Sequence, residues 1–117
     1  MTRVLIVDDE PMLREELQEA LELEDFDVST AEGVTEAEAL CQAERFDVVV
    51  TDLKMPKRGG LELLAVLQER DYPAILFVVS GHGAESNSEI ACDLGAKACF
   101  HKPLNVDDLV QAISAHL

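Results

Sequence analysis

Four short apolar runs punctuate the chain, at residues 3–7, 46–51, 74–79 and 96–101, each rich in β-branched or aromatic residues and too short for a helix. Unbroken runs of this kind predict strands buried on both faces. A weaker run at 26–31 predicts a fifth strand at or near a sheet edge. The segments between them change to helical period. Leu13, Leu17, Ala20 and Leu21 recur at i, i+4, i+7 and i+8, with Arg14, Glu15, Glu16, Gln18, Glu19 and Glu22 on the wet side. A second helix is expected to open with the capping box Thr35-x-x-Glu38 and to carry Ala37, Leu40 and Cys41 inward. A third follows Gly59-Gly60 and buries Leu63, Leu64 and Leu67. The fourth is expected from Ser86-x-x-Glu89, with Ile90, Ala91 and Leu94 inward and a left-handed stop at Gly95. The fifth starts at Asn105 and buries Leu109, Ile113 and Leu117. Strands alternating with helices predict an α/β fold, a doubly wound parallel sheet with right-handed crossovers that place helices on both faces.

At 117 residues, the chain has the size of one domain, expected to span 1–117, with a core that needs no disulfide or metal. No linker, repeat or low-complexity tract interrupts the alternation, and no apolar run is long enough for a membrane span. Met1-Thr2-Arg3 leads straight into a strand, so no secretory signal is expected there. Three cysteines, Cys41, Cys92 and Cys99, lack metal-binding spacing and fall on expected core or strand positions. They are expected to be buried and reduced, which favours a cytoplasmic location. Nine basic against twenty-four acidic residues give a net charge of −15, which opposes direct nucleic-acid or anionic-membrane binding. Most of that charge, including Glu15, Glu16, Glu19 and Glu22, belongs to solvated helix faces.

The acids at strand ends are different. Asp8 and Asp9 close the first run, Asp52 the third strand, Ser80 the fourth and Lys102 the fifth. Ligands of open parallel sheets bind beyond the carboxyl ends of the strands, so these groups share one crevice if the first strand is central. Each alone has an ordinary explanation: a turn or capping acid, a loop hydroxyl, a solvated ammonium. Together, at the ends of four strands, they point to a site. Three crowded carboxylates require a proton or a cation. Oxygen donors without histidine or thiol favour a hard ion, and a site with few protein ligands suits Mg²⁺ better than Ca²⁺.

Over essentially its whole length the chain resembles the CheY-like receiver domains of two-component response regulators. The motifs are Val7-Asp-Asp-Glu-Pro11, Val50-Thr-Asp-Leu-Lys-Met-Pro56 followed by Gly60, Val79-Ser-Gly-His82 and Lys102-Pro103. The resemblance implies the flavodoxin-like (βα)5 fold with strand order 2-1-3-4-5. It also implies that Asp52 accepts a phosphoryl group from a phosphohistidine of a histidine kinase or phosphotransfer protein. Asp9, Asp52 and the backbone carbonyl of Lys54 would bind Mg²⁺, with Asp8 acting through a water. Lys102 would clamp the phosphoryl group, aimed by a cis Lys102-Pro103 peptide. Ser80 would turn to the phosphoryl group and draw the loop to about Ser88 inward, with Gly81 and Gly83 making it pliable. Lys54 and His82 occupy positions that tune phosphoryl lifetime in the family; the alternative reading makes both exposed loop residues with no kinetic role. Such a domain is a signalling switch that catalyses only its own phosphorylation and dephosphorylation, and many dimerise through helix four, strand five and helix five.

One residue departs from the pattern. Many receivers carry an aromatic three residues before the lysine, where this chain has Cys99, with Phe100 expected on the opposite strand face. A muted or rerouted change at the output surface is therefore expected. A dehalogenase-type phosphohydrolase would need a second acid where Lys54 stands, and a flavin-binding flavodoxin would find its phosphate repelled by Asp8-Asp9-Glu10. The stronger alternative is a pseudo-receiver, the same fold used for interaction or dimerisation without phosphorylation. The sequence shows no output domain, so the chain either docks onto a target by itself or comes from a longer protein.

Overall fold

Val4↔Val28 and Val4↔Val48 are the paired positions that put the first strand between two others, and the sheet grows outward from it. In the computed structural model, which describes residues 1–53, 55, 58–81, 90–102 and 104–117, the strands are β1 (Arg3–Val7), β2 (Asp27–Ala31), β3 (Val48–Asp52), β4 (Ile75–Ser80) and β5 (Ala96–His101). All pairs are parallel, in the order β2-β1-β3-β4-β5. The helices are α1 (Pro11–Leu23), α2 (Val34–Ala43), α3 (Gly60–Glu69), α4, described over 90–93, and α5 (Val106–His116). None of the described helices is long and apolar enough to cross a membrane.

Alternation along the strands divides the core into two layers. Leu5, Val7, Val49 and Val78 pack with Ala37 and Cys41 of α2, Leu63, Leu64 and Leu67 of α3 and Ala91 of α4. Val4, Ile6, Val48, Val50 and Phe77 face the other way, onto Leu17 and Leu21 of α1 and Leu109 and Ile113 of α5. Burying each such side chain stabilises the fold by roughly 1.5–3 kcal/mol before entropy is counted. Helix polarity follows the pattern: Glu15, Glu16, Glu19 and Glu22 are exposed.

Several expectations are corrected. The capping box does not form: α2 begins at Val34 with Gly33 as its cap and no side-chain cap bond, and Thr35 and Glu38 bond to Arg58 instead. The β5 strand is half-exposed rather than buried on both faces, because it lies at the sheet edge. Cys92 is exposed and Cys99 half-buried, with only Cys41 buried, although all three remain thiols. Ile90 is 47% and Leu117 63% exposed, so neither is the buried helix position that its apolar character suggests. Asn105 caps α5 as expected, accepting from Asp107 N–H at 2.9 Å, and Gly95 adopts φ +100°. The Ser86–Glu89 cap lies outside the described residues.

Candidate functional site

Parallel pairing of Val7 with Thr51 brings the ends of β1 and β3 side by side. Asp8 follows β1, its N–H continuing the ladder to Ala31 carbonyl at 3.1 Å. Asp52 is the last residue of β3, and both carboxylates are buried, at 3% and 4% exposure. Asp9 is the most exposed of the three acids. One carboxylate oxygen from each of Asp8, Asp9 and Asp52 can be chosen so that all lie within 4.8 Å of one another. The expected trio therefore converges.

Lys102, just beyond β5, reaches across the sheet end. Its ammonium lies 2.9 Å from Asp52 Oδ2, 3.3 Å from Glu10 Oε1 and 3.8 Å from Asp8 Oδ2. Lys102 N–H also donates to Ser80 carbonyl at 2.8 Å, which ties the ends of β4 and β5 together. Partial burial works against the ammonium, but the hydrogen bond to Asp52 and the charges of Asp52 and Asp8 outweigh it and raise the Lys102 pKa. For Asp8, burial is the largest influence and pushes the carboxyl up, against the hydrogen bond from Glu10 N–H and the charge of Lys102. One lysine does not neutralise three acids. The donor set, all carboxylate and partly open, fits a hard divalent cation such as Mg²⁺.

Glycine shapes the wall behind Asp52. A Cβ on Gly60 would stand 2.2 Å from Asp52 carbonyl oxygen and 3.0 Å from Leu53 Cα, so the first turn of α3 can lie against the strand end only as glycine. Gly60 N–H donates to Leu53 carbonyl at 3.0 Å and closes the base of the intervening loop.

Ser80 ends β4 with 1% exposure. Its hydroxyl is 3.5 Å from His101 Nδ1 and 3.9 Å from Cys99 Sγ. Lys54, His82, Gly83 and Pro103, and with them the expected carbonyl ligand and cis peptide, lie outside the described residues. Four supporting residues were not anticipated. Arg14 Nη1 donates to Asp8 carbonyl at 2.7 Å, Glu10 pairs with Lys102, His101 touches Ser80, and Arg58 joins α2 to α3. For Arg14, its place one turn into α1 was the available signal; the other three contacts cross between elements.

The family model of the response regulator receiver domain matches residues 4–114. The chain belongs to that family. It is 40% identical over 91% of its length to a response regulator receiver protein of Anaeromyxobacter, covering 44% of that protein. It is 33% identical over 96% of its length to the photosynthetic apparatus regulatory protein RegA of Cereibacter sphaeroides, covering 60% of it. The receiver thus spans about half the length of the curated relatives it matches. Among solved structures, a CheY-like receiver domain protein of Methanospirillum hungatei superposes with TM-score 0.94 at 30% identity, over 99% of this chain and 93% of that one. The flavodoxin-like order expected for a receiver is the order observed.

Within this receiver, Cys99 and Phe100 lie on opposite faces of β5, as alternation requires. Cys99 packs against the layer of α2 and α3, whereas Phe100 meets Phe77 edge-on at 5.8 Å in the layer of α1 and α5. No aromatic ring stands next to Ser80 from position 99.

Proposed function

We propose that this receiver is a phosphorylation-dependent switch in which Asp52 accepts a phosphoryl group from a histidine kinase or a histidine phosphotransfer protein. The observation that carries the reading is the convergence of Asp8, Asp9 and Asp52 with the Lys102 ammonium 2.9 Å from Asp52 Oδ2. Asp8, Asp9 and Asp52, with the backbone carbonyl of Lys54, would hold Mg²⁺. When bound, that ion supplies neutralisation of the phosphoryl oxygens. Asp52 carboxylate attacks phosphorus; the P–O bond forms as the P–N bond breaks, and the donor imidazole leaves with the electron pair and takes up a proton. Lys102 stays beside the nucleophile as a fixed positive charge, so no reorganisation is needed as charge shifts onto the phosphoryl group.

Ser80 then gives up its contacts with His101 and Cys99 to donate to a phosphoryl oxygen. A charge-assisted hydrogen bond, worth roughly 1.5–3 kcal/mol, outweighs the neutral contacts it replaces. This exchange biases the loop after β4 and alters the surface of α4, β5 and α5 that a target, an attached output domain or a second copy would read. Exchange of partners takes place in the cytoplasm, where the thiols stay reduced.

Intact mass after incubation with acetyl phosphate and Mg²⁺ tests the reading. One added phosphoryl group, absent without Mg²⁺ and absent in Asp52→Asn, is the expected result. No addition, either from the small donor or from a cognate kinase, would instead favour a phosphorylation-independent interaction module.

A further inference from the structure

Arg14, one turn into α1, lends its guanidinium to a backbone oxygen. Its Nη1 donates to the Asp8 carbonyl at 2.7 Å, while its own N–H donates to the Glu10 carbonyl at 3.0 Å in the first turn of the helix. The half-buried side chain thus turns back along the residues that lead into α1. Asp9, the most exposed of the acidic trio, lies between the two carbonyls that Arg14 holds.

Three other restraints act on this turn. Asp8 N–H is bonded to the Ala31 carbonyl at 3.1 Å, so Asp8 enters the turn in register with β2. Glu10 N–H donates to Asp8 Oδ1 at 2.9 Å. Glu10 itself is extended, with φ −89° and ψ 110°, the conformation favoured before a proline. None of the three grips the peptide that joins Asp8 to Asp9. That peptide is a rigid plane, and rotation about ψ of Asp8 swings it and carries Asp9 along, which changes the angle between the two carboxylates. The Asp8 carbonyl moves with the plane. Among the described residues, Arg14 is the one that holds this carbonyl.

We propose that Arg14 is a positioning residue for the divalent cation: by holding the Asp8 carbonyl it fixes the angle between the Asp8 and Asp9 carboxylates, and so favours Mg²⁺ over Ca²⁺. The inference rests on the Mg²⁺ site proposed above. Mg²⁺ requires a near-ideal octahedron of close oxygens, whereas Ca²⁺ accepts irregular and flexible sets. Loosening the turn therefore costs Mg²⁺ more than Ca²⁺. Charge alone predicts otherwise, because removing the cation that rests on Asp8 should tighten binding of both divalent ions alike.

Titrations of the intact chain with Mg²⁺ and with Ca²⁺, followed by amide chemical shifts, separate the two accounts. Arg14→Ala is expected to weaken Mg²⁺ binding by roughly tenfold and Ca²⁺ binding by less, so that the preference for Mg²⁺ falls. Arg14→Lys, whose ammonium can still donate to one carbonyl but lacks the planar fork, is expected to recover part of the Mg²⁺ affinity. Arg3→Ala, which removes ion pairs with Asp27 and Glu44 at the start of β1, is the stability control and is expected to bind both ions like the parent. Unchanged or tighter Mg²⁺ binding by Arg14→Ala would overturn the proposal, as would equal weakening for the two ions or the same loss in Arg3→Ala. If the parent chain binds Mg²⁺ no better than Asp52→Asn does, the cation site itself is absent and both readings fall.

Discussion

Lys102 Nζ lies 2.9 Å from Asp52 Oδ2, so the proposed nucleophile already has a counter-charge built into the fold. The same ammonium is within 3.8 Å of Asp8 and 3.3 Å of Glu10, which makes it a competitor of any cation held by the acidic trio. Lys102→Ala should therefore tighten Mg²⁺ binding by about threefold to tenfold, the effect of removing one unit charge a few ångströms away at intermediate dielectric. It should at the same time slow phosphorylation roughly a hundredfold, because the fixed charge beside the transferring group is gone. Titration calorimetry and phosphorylation kinetics on one variant check both signs, and unchanged Mg²⁺ affinity would refute the competition.

Asp8 supplies a pH prediction. Burial raises its carboxyl above the ordinary 3.8, so the folded chain holds that proton more tightly than the unfolded chain does. The contribution of Asp8 to stability then declines as pH rises from 3.8 through its raised folded value, and it is unfavourable at neutral pH. In EDTA at pH 7, Asp8→Asn should melt several degrees higher than the parent, each kcal/mol recovered being worth about 4 °C. The advantage should shrink as pH falls toward the ordinary carboxyl value, and saturating Mg²⁺ should remove it by restoring a role to the acid. A lower melting temperature for Asp8→Asn in EDTA at pH 7 would show the burial argument to be wrong.

The strands and the chemical groups at their ends were legible because both depend on local patterns, whereas the strand order, which rests on pairing between distant segments, was legible only through the family resemblance. Each apolar run ends one residue before, or at, the group that carries chemistry, and parallel pairing does the rest. Asn105 was legible for the same reason, since its cap bonds reach only two and three residues ahead. Thr35 and Glu38 carried an equally good local signal but were claimed by Arg58, twenty residues or more away in sequence, which no helix pattern records. Ile90 and Cys92 were misplaced because apolar character cannot tell which side of a helix has a strand beneath it. His101 beside Ser80 is a register effect, set by the pairing of β4 with β5.

Gly60 tests how closely packing behind Asp52 is tied to the site. A Cβ there would approach the Asp52 carbonyl oxygen to 2.2 Å, and because the obstacle is backbone, no side chain can swing away. Gly60→Ala should cost about 1–3 kcal/mol of stability as an overpacked position. It should also slow phosphorylation of the surviving folded protein by roughly a hundredfold, since a displacement of Asp52 near 1 Å misaligns the attack. Gly33→Ala, where a Cβ would meet nothing within 4 Å, should cost well under about 1 kcal/mol. Denaturant melts and initial rates for the two variants make the comparison, and equal behaviour would rule out the steric account.

The output surface should respond weakly, and Cys99 is the reason. An aromatic ring at that position would sweep a large volume when the hydroxyl of Ser80 moves, and neighbouring helices would have to follow. A thiol 3.9 Å from Ser80 Oγ has a single rotatable bond and displaces little. The ring next to it, Phe100, faces the other layer and is locked edge-on against Phe77, itself edge-on to His116 at 5.5 Å, so it has no route to the space that Ser80 vacates. Amide chemical-shift changes on adding Mg²⁺ with beryllium fluoride, a phosphoryl mimic, should accordingly be large at Gly81 and Lys102 and small along Val106–His116. In Cys99→Tyr, which restores the lever, they should extend into α5. A full rearrangement of α5 in the parent chain would mean that the signal leaves the site by a path that does not use position 99.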